Sequence, residues 1–142
     1  MVRILLALAV GAGVGGVALA HDRENAEAVK VLSARDVKEK LDGKDAKATT
    51  VELALEPGQA GTPHRHTGPV FGYVLEGEYE WAIDDNPTRT LKVGDTFFEP
   101  TGCLHRVSRN PSKKGKTRIL AVVLHPADVE DIVIPEKDKK KE

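Results

Sequence analysis

At 142 residues, with 21 Lys and Arg against 22 Asp and Glu and a formal net charge of −1 at pH 7, the chain lacks the basic surplus of a nucleic-acid binder or of a protein drawn to anionic membranes. Its length allows one domain with a real core and hardly two, and its single cysteine, Cys103, excludes an internal disulfide. Small molecules are therefore the default partners.

The first element in chain order is a leader. Arg3 precedes an apolar run over residues 4–10, a glycine-rich stretch over 11–17 and Ala18-Leu19-Ala20, after which the polar His21-Asp22-Arg23-Glu24 begins. This is the pattern of a secretory signal peptide over residues 1–20, cleaved after Ala20, and it predicts an exported protein, periplasmic or secreted. The run is short and glycine-heavy for a span, so no stable membrane anchor is expected. Without disulfides, stability must come from packing or from metal.

Residues 21–48 read as an N-terminal arm. Residues 29–32 suit an edge strand, and Ser33 is placed to cap a short helix over 34–41, with Asp36 in its first turn and Gly43 just past its end. From residue 49 onward, short apolar segments alternate with Gly, Pro, Asn and Asp, the rhythm of an antiparallel sandwich or barrel. Strands are predicted over 49–55, 70–75, 78–83, 89–93, 96–98, 104–108 and 118–125, with turns at 56–58, 76–77, 84–87 and 94–95. The barrel thus occupies 49–128. Residues 129–142, ending in a mixed charge run without apolar periodicity, read as a solvated tail.

Chemistry concentrates in three histidines. In a strand, residues two apart share a face, so His64 and His66 converge on one point while Arg65 faces outward. His105, about forty residues on, brings a third imidazole, and three neutral imidazoles can hold a transition metal. Such ligation suits Fe, Cu, Zn, Ni or Mn and names none of them.

Two stretches carry a resemblance. Gly58, five further residues, His64-Arg65-His66 and then Tyr73-Val74-Leu75-Glu76-Gly77-Glu78 resemble the first signature motif of the cupin superfamily; Gly94 through Pro100, Gly102 and His105 resemble the second. The likeness extends over residues 49–124 and implies an all-β fold, a double-stranded β-helix or jelly-roll barrel, with His64, His66 and His105 as metal ligands. It is similar in text to quercetin-dioxygenase-like cupins. Two departures stand out. The family pattern usually places a glutamate seven residues before Gly77, where this chain has Val70, and an asparagine four residues after the second-motif histidine, where it has Arg109 followed by Asn110.

Without that carboxylate, three neutral histidines leave a divalent ion its full double charge, which favours an anionic guest and leaves positions open for water, oxygen or substrate. Among cupins, three-histidine sites of this kind resemble those of iron enzymes that cleave diketones or oxidise thiols. The first functional expectation is accordingly an exported metal-dependent dioxygenase acting on a small anionic organic substrate. The alternative is a non-catalytic metal- or small-ligand-binding module of the cell envelope, and a sugar isomerase is a weaker third for want of a proton-shuttling pair.

Secondary candidates are Glu99, as a base or as partner to a ligand, and Cys103, as a soft fourth ligand, a redox-sensitive thiol or simply a buried apolar side chain. His21 could chelate copper with its own amine if His125 joined it. Phe71, Tyr73, Trp81, Phe97 and Phe98 are the aromatic stock of core or interface. The family resemblance also implies a homodimer paired through an outer sheet.

Overall fold

The computed structural model describes residues 27–136; the leader, His21 and the charge run from Lys137 lie outside them. Ten strands follow one another: β1 Ala28–Leu41, β2 Lys44–Leu55, β3 His64–His66, β4 Val70–Glu76, β5 Glu78–Ile83, β6 Arg89–Lys92, β7 Thr96–Glu99, β8 His105–Arg109, β9 Thr117–Pro126 and β10 Val133–Pro135. They form two five-stranded antiparallel sheets, ordered β1-β2-β9-β4-β7 and β10-β3-β8-β5-β6. Alternation decides which residues face inward. In β4, Val70, Gly72 and Val74 are buried while Phe71 and Tyr73 face out, and in β7 Phe97 and Glu99 are buried while Thr96 and Phe98 are exposed.

Between the sheets Leu55, Val74, Ile119 and Val123 of the first meet Tyr79, Trp81 and Leu91 of the second. Each such aliphatic side chain stabilises the fold by roughly 1.5–3 kcal/mol through burial. The chain passes between sheets at Gly77, whose φ of 74° is in the left-handed region and whose absent Cβ would lie 2.3 Å from the Lys116 carbonyl oxygen.

The helix expected over residues 34–41 is not there. That segment is the second half of β1, which pairs along its length with β2. Asp42 and Gly43, with φ of 50° and 78°, make a two-residue hairpin turn of the kind that Asp-Gly favours. The glycine that suggested a helix stop is a hairpin glycine. Ser33 and Asp36 are helix-start residues only where an apolar stripe follows, and β1 is exposed along nearly all its length, with no face to bury as a helix. The edge strand expected over 29–32 is the first half of the same element, and bulges between Val31 and Ser33 and between Val37 and Lys40 bend this outermost strand.

The other expected strands from residue 49 all form, with ends displaced by a few residues. Ordered structure runs further than the proposed start of the tail at 129, because β10 pairs with β3, setting Val133 opposite His66 and Pro135 opposite His64. One irregularity bears directly on the site. On β5, Ala82 pairs with Val107 and Ile83 with His105, so β8 carries one extra residue, Arg106, between them. This bulge lets His105 and Ser108, three apart, both point into the barrel. It also takes up one residue before Asn110, which is fully buried and donates to the Leu55, Glu56 and Gly115 carbonyls.

Candidate metal centre

Strand β3 lies between β10 and β8, and its pairing sets His64 directly opposite His105. With His66 one pleat away on the same face, the three side chains converge. Their nearest ligand atoms lie within 4.8 Å of one another, and they are the group among the described residues that could hold a metal ion. Arg65 turns the other way, to the Gly102 carbonyl at 2.8 Å and to Glu136 at 3.0 Å.

Hydrogen bonds fix which nitrogens are free. His64 donates its Nδ1 proton to the Thr62 carbonyl at 2.8 Å, and His66 donates its own to the Ile132 carbonyl at 3.1 Å, just before β10. A neutral imidazole that donates from Nδ1 presents a bare Nε2, and these two Nε2 atoms stand 3.1 Å apart. Such proximity of two lone pairs is relieved by a cation or a proton shared between them. Burial, followed by the charge of His64, pushes the His66 proton affinity down to about 4, so its ring is neutral and available as a ligand near pH 7.

His105 is more deeply buried, and burial followed by the charges of His64 and His66 pushes it down to about 3. Its Nε2 lies 3.3 Å from the Tyr79 hydroxyl, and its Nδ1 has no hydrogen-bond partner. Glu99 stands on that side, with Oε1 at 3.3 Å from His105 Nδ1 and Oε2 at 3.5 Å from His66 Nε2. Because both rings are neutral, these contacts are not ion pairs. The Trp81 indole donates to Oε1 at 3.0 Å, while Oε2, buried, is left without a partner. Burial, opposed by the Trp81 bond and reinforced by Glu27, holds the Glu99 carboxyl up at about 7. A buried acceptor without a donor is costly. His105 Nδ1, Glu99 Oε2 and the two Nε2 atoms, gathered without donors, are what a divalent cation would satisfy, so the residues fit a metal.

The sequence-level candidates divide clearly. Glu99 is brought to the histidines. Cys103 packs in the apolar core, where burial, then the charges of Glu99 and Asp84, pushes its thiol up to about 11, and it is not in the ligand-capable group. His125, the residue that would have to join His21 in chelating copper, is buried and uses both ring nitrogens, on Thr49 Oγ1 at 2.8 Å and the Pro126 carbonyl at 2.9 Å. Trp81 and Phe97 are core residues, whereas Phe71 and Phe98 pair on the outside with ring centroids 5.2 Å apart.

Three residues around the centre escaped sequence reasoning. Tyr79 touches His105 and donates to Ser108 at 3.0 Å; Ser108 in turn donates to Glu27 at 2.6 Å. Strand alternation alone would have turned Ser108 away from the face of His105; the β8 bulge brings it round. Nothing in the composition of residues 21–28 marked Glu27.

The cupin domain family model matches residues 51–123. Among solved structures, the chain is similar to the DMSP lyase DddQ from Ruegeria pomeroyi DSS-3, with 22% identity and a TM-score of 0.57 over 79% of this chain and 54% of that one. It is similar to an uncharacterised conserved protein with a double-stranded β-helix domain from Klebsiella pneumoniae subsp. pneumoniae MGH 78578, with 19% identity and a TM-score of 0.57, over 82% of this chain and 90% of that chain. An oxalate oxidase in complex with the substrate analogue glycolate is 25% identical, with a TM-score of 0.52 over 70% of this chain and 51% of that one. The chain thus spans about half the length of the two named enzymes. No curated protein matches. With the family model covering just over half the chain, and with both motifs folded into paired antiparallel sheets around three convergent histidines, this protein belongs to the cupin family.

Proposed function

We propose that this protein is an exported cupin that binds a divalent transition metal through His64, His66 and His105 and acts as a dioxygenase or related oxidoreductase on a small anionic organic substrate. The observation that carries the metal assignment is the gathering of bare imidazole nitrogens beside the unpartnered Glu99 oxygen. Glu99 supplies the carboxylate that Val70 does not. A bound metal of this kind supplies Lewis acidity and, if redox-active, a seat for oxygen.

This chain's own residues would do the rest. His64 and His66 hold their tautomers through the Thr62 and Ile132 carbonyls, and Trp81 orients Glu99 by donating to Oε1. An ionised Glu99 lowers the net charge of a divalent centre from two to one, which still favours an anion. Arg65 and Arg106 are committed to main-chain carbonyls and so leave anion recognition to the centre. The oxalate oxidase likeness, with glycolate at hand in that protein, adds small carboxylates to the diketones and thiols suggested by the residues. Export is supported by the sequence pattern of residues 1–20, and a homodimer by exposed Phe71, Tyr73 and Phe98 on an outer sheet face.

The test is to measure the metal content of the purified protein, reload it anaerobically with Fe(II), and follow oxygen uptake with diketones, flavonols, thiols and small carboxylates. Uptake with one class is the expected result. Stoichiometric metal with no uptake on any of them, under any of the five metals, would leave the non-catalytic binding module as the function.

A further inference from the structure

All three phenylalanines of the chain and its single tryptophan gather at one place. β6 and β7 each end a sheet and follow one another through the turn at Gly94 and Asp95, but they do not pair. Beside them lies a notch of about 520 Å³, within the ordinary range of small-molecule sites. Trp81 and Phe97 form its floor, with ring centroids 5.6 Å apart, and Gly72 admits the Phe97 ring, which a Cβ at that position would strike. Phe71 and Phe98, half exposed, stand at its rim. Inward- and outward-facing residues line the same notch because it wraps the free edge of β7.

A single charged residue lines this aromatic ground. Arg89 is the cross-strand partner of Trp81, so the two side chains lie on the same face of the sheet, with Arg89 at its free edge. Arg65, Arg109 and Arg118 each meet a glutamate, whereas Arg89 meets no carboxylate among the described residues. Thr96, on β7, adds a hydroxyl to the lining. An inward-turned charge on an edge strand also guards against pairing with another sheet, and a lysine serves that end as well. The flat guanidinium offers something a lysine does not: a fork that matches both oxygens of a carboxylate.

We propose that this notch is a second small-molecule site, which takes an aromatic carboxylate with its ring against Trp81 and the phenylalanines and its carboxylate on Arg89. The apolar body of such a ligand is matched by the four rings, and its charge by the one guanidinium left unpaired beside them. The site is independent of the histidines. Its ligand needs no metal.

The test titrates the metal-free full chain with phenylacetate and with neutral phenylacetamide, following the emission of Trp81. Because the chain holds one tryptophan, the signal arises at the floor of the notch. Wild type should show a saturable change with phenylacetate. Arg89→Gln, at an exposed position, should bind it about 10- to 100-fold more weakly, the loss expected for a charge-assisted pair, with phenylacetamide unaffected. Arg89→Lys should recover only part of that affinity, and Phe98→Ala should weaken both probes alike. Wild type without a saturable change, or phenylacetate held equally by wild type and Arg89→Gln, would overturn the proposal. Phe71 and Phe98 also belong to the outer face proposed to join two copies, so light scattering accompanies the titration. A dimer that Arg89→Gln dissociates, with neither probe bound by wild type, would put a second copy in the notch and overturn the proposal as well.

Discussion

Val70 and Glu99 are directly opposed across β4 and β7, both buried on the inner face, so that the carboxylate missing from the first motif stands one strand away from its expected place. Cross-strand partners in an antiparallel pair hold their Cβ atoms about 5 Å apart, well within the reach of a glutamate side chain. The first prediction is an exchange. Glu99→Gln should weaken metal binding at least about tenfold, and Val70→Glu combined with Glu99→Val should recover most of the loss. Calorimetric titration with Zn(II) checks both, and a double variant no better than the single would show that only the β7 position can supply the charge.

Removal of the histidines tests the centre itself. His64→Ala with His105→Ala takes one imidazole from each of the paired strands β3 and β8 and should abolish stoichiometric metal uptake. Metal analysis after dialysis measures it, and tight one-to-one binding retained in the double variant would place the ion elsewhere.

Acid should release the metal in two stages. Glu99, held up at about 7 by burial, takes up a proton as pH falls through neutrality, so that below pH 7 the ion must displace it. Burial holds His66 and His105 down at about 4 and about 3, and they compete only in stronger acid. Affinity measured by competition should fall by about tenfold per pH unit below pH 7 on account of Glu99, and Glu99→Gln should lack that part of the dependence.

The same shift has the opposite sign for the metal-free fold. An acid whose folded value lies above its ordinary 4.5 stabilises the fold only while protonated; the contribution shrinks as pH rises from 4.5 and is gone above about 7. Full ionisation of Glu99 thus costs on the order of 3 kcal/mol. Metal-free Glu99→Gln should be more stable than wild type at pH 8 by up to that amount, and the gap should close near pH 4.5. Urea unfolding at the two pH values reads the difference.

Gly43→Ala probes the hairpin that replaced the expected helix. At φ of 78° an alanine is strained by roughly 1–2 kcal/mol, and the cost should appear as a lower urea midpoint with metal affinity unchanged. Stabilisation by this substitution would favour the helical reading of residues 34–41.

The strands and the histidine trio were legible in the sequence because both depend on local periodicity. Residues two apart share a face whatever the rest of the chain does, and Gly77 and Gly94 mark where strands end. Residues 34–41 misled because Ser33, Asp36 and Gly43 serve a helix end or a hairpin equally well, and only pairing with β2 decides between them. Glu99 was half legible. Its type suggested chemistry, but its place beside Val70 is a matter of register between β4 and β7. Glu27, Tyr79 and Ser108 were not legible, because a bulge in β8 and a contact spanning 81 residues leave no trace in local pattern.

The strands that carry the imidazoles have a mechanical consequence as well. His66 and His105 are separated by roughly forty residues, and an ion gripping both closes that whole loop, as a disulfide would in a chain with cysteines to spare. By the loop-closure reckoning for disulfides, such a tie restrains the unfolded chain by on the order of 4 kcal/mol. This chain has one cysteine, and its metal centre would take the place of the missing covalent bond as a rivet that a chelator can withdraw.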